Sequence, residues 1–169
     1  HRITIPLITI NRRFSHPSLP CITFDQSGAA YMMVRHLIHQ GHRNIVCIAG
    51  DLDTNSGIER LKGYKKALAE FDIPFNPALV ESGHNCHLGG YQACQNIIAQ
   101  PITFTAIFAC SDEMALGAQK ALQEIGLCVP SDKSIAGFDD SPVARYSTPA
   151  LTTIKVPIKE MAHSAVQMA

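Results

Sequence analysis

The sequence predicts a parallel, doubly wound α/β fold. Apolar runs of strand length, Ile45–Ala49 and residues 104–109, lack polar alternation, as expected of strands buried on both faces. Segments with helical apolar spacing separate them, and strand–helix alternation at this interval makes parallel sheets. The 169 residues are 46% hydrophobic and 17% charged, enough to bury a core.

In chain order, residues 3–10 and 21–24 read as strands, and 29–40 as a helix stopped by Gly41. Strand Ile45–Ala49 follows. Ile58, Leu61, Tyr64, Leu68 and Phe71 recur at spacings of three and four, so a helix with one apolar stripe comes next, with Asn55 or Ser56 as its N-cap. Strand 78–80, helix 88–99 and strand 104–109 continue the alternation. A helix beginning at Ser111-Asp112 turns Ala115, Ala118, Leu122 and Ile125 to the sheet and ends at Gly126. Its other flank, with Leu116, Gln119 and Lys120, is expected to face solvent or a partner. Strand 134–138, an irregular loop over 139–150, strand 151–156 and a helix over 158–169 complete the pattern.

Several functions lose support on composition. Lys plus Arg and Asp plus Glu are each 14, and there is no basic run with which this piece would grip a phosphate backbone. Nothing resembles a signal peptide or a membrane span. There is no P-loop, no dinucleotide-binding glycine fingerprint and no nucleophile elbow, so no enzyme and no cofactor is expected. The His84-Asn85-Cys86-His87 run lacks a second ligand pair at zinc spacing, so no metal is expected either. The six cysteines are scattered and include Cys47 and Cys110 in or beside apolar strands, which predicts free, largely buried thiols.

In a doubly wound sheet, ligands bind beyond the carboxyl ends of the strands. Asp25, Arg60 and Asp139 stand there, together with Asn11-Arg12-Arg13, Gln26, residues 51–56, His84-Asn85, Ser111-Asp112 and Asp140. Carboxylates accept from adjacent hydroxyls and a guanidinium fork donates to two oxygens, so the set suits a polyhydroxyl ligand. The plainer alternative is that each aspartate caps the helix or turn that follows it.

Longer motifs narrow the reading. Residues 104–118, Phe-Thr-Ala-Ile-Phe-Ala-Cys-Ser-Asp-Glu-Met-Ala-Leu-Gly-Ala, resemble the TAIFAxNDxMAxGA signature of lactose-repressor (LacI/GalR) family sensor domains. Residues 126–130 with 135–140 are similar to that family's GLxVPxDxSVxGFDD, and 144–154 to its ARYxxPxLTTI. Ile10-Asn11-Arg12-Arg13, Phe24-Asp25, His36-Leu37 with Gly41-His42, and residues 59–64 match in order and spacing, so the resemblance covers essentially the whole chain.

The resemblance implies a periplasmic-binding-protein-like clamp of two lobes, one of them incomplete in this chain. Residues 1–42 would end the N-terminal lobe, 43–153 form the C-terminal lobe, and 154–169 return as a helix of the first lobe. The DNA-reading domain would lie outside the chain. The implied function is effector sensing by a cytoplasmic bacterial transcription regulator, a homodimer that binds operator DNA through that other domain. A periplasmic sugar-binding protein of a transport system is the alternative. The implied effector-binding residues are Asp25, Ser56, Arg60, Asn85, Ser111 and Asp139, and the implied dimer contacts are Leu116, Lys120 and Tyr146. Ser111 stands where the family often has Asn, Asn85 where many members carry a stacking aromatic, and Val156 where several carry Gln. These departures bear on which sugar is bound.

Overall fold

A computed structural model describes residues 7–12, 14 and 19–168. Within them β3 (Ile45–Ala49), β4 (Val80–Ser82), β5 (Ala106–Ala109) and β6 (Ser134–Ala136) form one parallel sheet in the order β4-β3-β5-β6. Every residue of β3 and β5 is buried, because each has a strand on both sides and helices on both faces. The chain leaves β3 toward β4 and comes back across it to β5, so the sheet is doubly wound with its order reversing beside β3.

Two helix pairs cover the sheet. Helix α1 (Gln26–His39) packs on α2 (Asn55–Glu70), and α3 (His87–Ile98) on α4 (Asp112–Glu124). Each helix is opened by a side-chain cap: Asp25 accepts from Gly28 N–H, Thr54 from Gly57, Cys86 Sγ from Gly89 and Ser111 from Met114. Thr54, rather than Asn55 or Ser56, is therefore the cap of α2. Gly41 stops α1 with φ +96°, a conformation that costs only glycine little.

Several local expectations shift. Residues 3–6 lie outside the described residues, and β1 is Thr9–Ile10. It pairs in parallel with β2 (Cys21–Ile22), and α6 (Ile158–Met168) packs on this small second sheet. The expected loop over 139–150 contains a short helix, α5 (Pro142–Tyr146), started by a proline at its first turn. Residues 151–156 run parallel beside β6 through two isolated bridges, Ala136 with Thr152 and Asp139 with Lys155.

Two positions of the expected apolar stripes are not covered. Ile58 is 49% exposed and Ile125 is 52% exposed, the first in the opening turn of α2 and the second just past α4, so both stand at helix ends. Gln119, expected on the open flank with Lys120, is buried instead, and its amide donates to Thr148 O at 3.0 Å.

The buried face of α1, Ala29, Ala30, Met33, Val34, Leu37 and Ile38, belongs to the same core as β3 and β5. No helix among the described residues is long and apolar enough to cross a membrane.

Candidate functional site at the carboxyl edge of the sheet

Arg60 lies in the second turn of α2, and its guanidinium runs under the carboxyl edge of the sheet. Nε donates to Gln26 Oε1 at 2.8 Å, Nη1 to the Cys110 carbonyl at 2.5 Å, and Nη2 stands 3.3 Å from Asp139 Oδ1. The Phe138 ring supports the plane from 3.8 Å. Four neighbours thus hold one buried cation in a single orientation. Burial lowers the Arg60 pKa, and the Asp139 carboxylate opposes that shift.

Asp139 is the open end of this pair, with 35% of its side chain exposed. Its carboxyl is pushed up to about 6, chiefly by desolvation, and the adjacent Arg60 charge only partly offsets this. Asp139 (φ +122°) and Asp140 (φ +54°) both occupy the region that disfavours side chains. Such strain persists where surrounding contacts over-determine it. Here the Asp139 N–H donates to Ile154 O at 2.8 Å, and the Asp140 N–H approaches Thr153 Oγ1 at 3.3 Å.

A second polar group occupies the same edge after β3 and β4. Asp51 accepts from Asn85 Nδ2 at 3.2 Å and faces His84 Nδ1 at 2.8 Å. His84 (φ +49°) and Asn85 (φ +51°) form a left-handed pair that turns both side chains back to Asp51. Ser56 Oγ is 3.3 Å from Thr54 Oγ1, which itself bonds the Asp51 carbonyl at 2.6 Å. Ser56 shares with Asn11, Arg12, Phe14, Asp53, Thr54 and Asn55 a hollow of about 380 Å³.

The six expected site residues therefore divide. Arg60 and Asp139 are joined directly, Ser56 stands in the first turn of α2, and Asn85 lies on the loop after β4. Ser111 is buried with its hydroxyl committed to the α4 cap, 3.3 Å from Met114 N. Asp25 is 2.7 Å from Gly28 N in the α1 cap, so the capping alternative describes its contact here.

Gln26 and Asp112 stand out in the sequence only as members of the strand-end set and not as effector ligands, yet both are buried and engaged by side-chain hydrogen bonds. Each is visible in the sequence only as a polar residue next to a helix start, where solvated caps are common. His87 faces Glu113 and His84 faces Asp51, so the histidines of that run have separate carboxylate partners. Another hollow of about 360 Å³ lies beside the amino-terminal end of β6, between His36, His42, Gln119 and Pro149, and holds none of the expected site residues.

Comparison with known proteins agrees with this architecture. The family model of the periplasmic binding protein-like domain matches residues 34–169. The chain belongs to that family, in its LacI/GalR branch. The regulator AscG of Escherichia coli is 37% identical over 156 residues, 92% of this chain and 46% of AscG. The repressor PurR of Escherichia coli is 44% identical over 178 aligned residues, 96% of this chain and 52% of PurR. A LacI-family regulator from Enterococcus faecium, solved with bound ribose, superposes with a TM-score of 0.87 at 28% identity, covering 96% of this chain and 60% of that one. The chain thus spans about half the length of the curated relatives it matches.

Proposed function

We propose that this chain is the larger part of the effector-sensing module of a bacterial transcription regulator, and that its effector is a sugar or glycoside held against Arg60 and Asp139. The observation that carries the reading is the locked, buried guanidinium beside a carboxylate left partly open at the switch of strand order. An oriented cation and an accepting carboxylate together complement vicinal hydroxyls. The ribose in the Enterococcus faecium relative supports the sugar class. The transport alternative has no comparable support, since the named relatives are regulators.

In this reading operator DNA is bound by a domain outside the chain, the working protein is a cytoplasmic homodimer, and ligand acts by shifting lobe closure. The packing of α1 on α2 favours a lobe boundary just before α1 rather than at residue 42, with β1, β2 and α6, which contact one another, on the other lobe.

Calorimetric titration of the intact protein with D-ribose, cellobiose, D-galactose and hypoxanthine tests the assignment. Losing a charged hydrogen bond costs about 1.5–3 kcal/mol, so Asp139→Ala and Arg60→Ala should each weaken the bound sugar about ten- to a hundredfold. Unchanged affinity in both variants would remove the pair from the site, and binding of hypoxanthine alone would replace the ligand class.

A further inference from the structure

Gln26 is 3% exposed and opens α1, between the small β1–β2 sheet and the larger one. Its carboxamide makes two side-chain contacts that reach in opposite directions. Oε1 accepts from Arg60 Nε at 2.8 Å, and Nε2 donates to Asn11 Oδ1 at 3.2 Å. Asn11 follows β1 with φ +57°, anchored by its N–H to Ile22 O at 2.8 Å, and lines the hollow that also contains Ser56. A polar line thus runs Asp139–Arg60–Gln26–Asn11 from the large sheet to the small one.

The chemistry gives that line one direction. Arginine has donors only, so the Gln26 atom facing Arg60 must be the carbonyl oxygen. The Gln26 amide nitrogen is then left to Asn11, and the Asn11 atom facing it must be an oxygen. An amide orientation that is ordinarily ambiguous is fixed twice over by one cation. We propose that Gln26 is a positioning residue that passes the polarity of Arg60 to Asn11. The free end of the Asn11 carboxamide becomes its NH2 group, so this wall of the hollow offers a donor to an oxygen-bearing ligand. Only that consequence rests on the effector reading; the relay itself is independent of any ligand.

The intact protein and the variants Asn11→Asp, Gln26→Glu and the double variant test the relay without ligand. In Asn11→Asp the new carboxylate can still accept from Gln26. In Gln26→Glu the new carboxylate can still accept from Arg60, while Asn11 rotates to donate. Each single variant therefore keeps a matched contact, whereas the double variant sets two carboxylates against each other. At pH 7.5 its unfolding constant should exceed the product of the single effects by about tenfold or more, as for directly contacting residues. That excess should vanish as the pH is lowered and the two carboxylates come to share a proton. By NMR, one Asn11 side-chain amide proton should exchange about tenfold more slowly in Gln26→Glu than in the wild type, because it has become a hydrogen-bond donor. If Gln26→Glu fails to fold, Asn11→Asp alone serves: exchange of the Gln26 amide protons should slow against the charged acceptor. Additive double-variant stability, or side-chain exchange unchanged in the variant measured, overturns the proposal.

Discussion

Thr153 Oγ1 lies 2.5 Å from Oδ1 of Asp112, a carboxylate with no exposure to solvent. The other oxygen, Oδ2, accepts from Ser141 N at 2.7 Å and Ser141 Oγ at 2.8 Å. One buried side chain at the start of α4 therefore ties down both the turn after Asp139 and the strand that returns at 152–156. Through Thr153, whose hydroxyl also meets the Asp140 N–H, this contact set reaches the strained Asp139–Asp140 turn.

Asp112→Ala should destabilise the domain by about 3 kcal/mol, since three donors lose a charged acceptor in a buried place. Asp112→Asn should cost less, because one amide oxygen remains to accept. Urea denaturation followed by circular dichroism measures both. A loss within about 0.5 kcal/mol for the alanine variant, the range of ordinary surface changes, would contradict this role.

Asp139 gives a pH dependence with two opposite signs. Its folded pKa of about 6 lies above the value of a free aspartate, so folding favours the protonated form. The stability it contributes is fully present below about pH 4 and is lost as pH rises through about 6. Sugar binding should run the other way, weakening as pH falls through about 6 and the accepting carboxylate is neutralised. Titration of wild type and Asp139→Asn between pH 5 and pH 8 checks this, with the variant expected to be flat across that range. The same slope in both would assign the dependence to another group.

Gly63 lies where α2 packs tightly against α1. A methyl group there would lie 2.2 Å from Ser27 O and 2.8 Å from Ala30 Cβ, against backbone that cannot yield cheaply. Gly63→Ala, usually favourable in a helix, should here cost about 1–3 kcal/mol by overpacking. A raised melting temperature would show that the two helices can part without loss.

The dimer proposal rests on α4 and α5. Tyr146 is 83% exposed, Leu116 is half-buried, and Lys120 pairs with Glu124 at 3.2 Å within its own helix. A large aromatic so exposed suits an anchor at a two-fold contact. Sedimentation velocity of the intact protein should show a dimer at micromolar concentration, with Leu116→Glu and Tyr146→Ala shifted toward monomer. Variants as dimeric as the wild type would place the contact elsewhere.

The sequence by itself determined the fold class, because burial on both faces leaves a mark on every residue of a strand: Ile45–Ala49 is read off without error. It also determined the helix stops at Gly41 and Gly126, since positive φ selects glycine locally. Arg60 and Asp139 were singled out through motif resemblance. Their pairing was not, because it joins residues 79 positions apart and depends on how α2 lies under the end of β6. Tertiary structure alone decided the fate of the polar residues at helix starts. Asp25 and Ser111 spend their side chains on caps, whereas Gln26 and Asp112, one residue further on, reach buried partners. A cap and a buried anchor use the same residue types in the same places. Which of the two forms depends on whether another chain segment covers the helix end, and that is a property of packing rather than of local sequence.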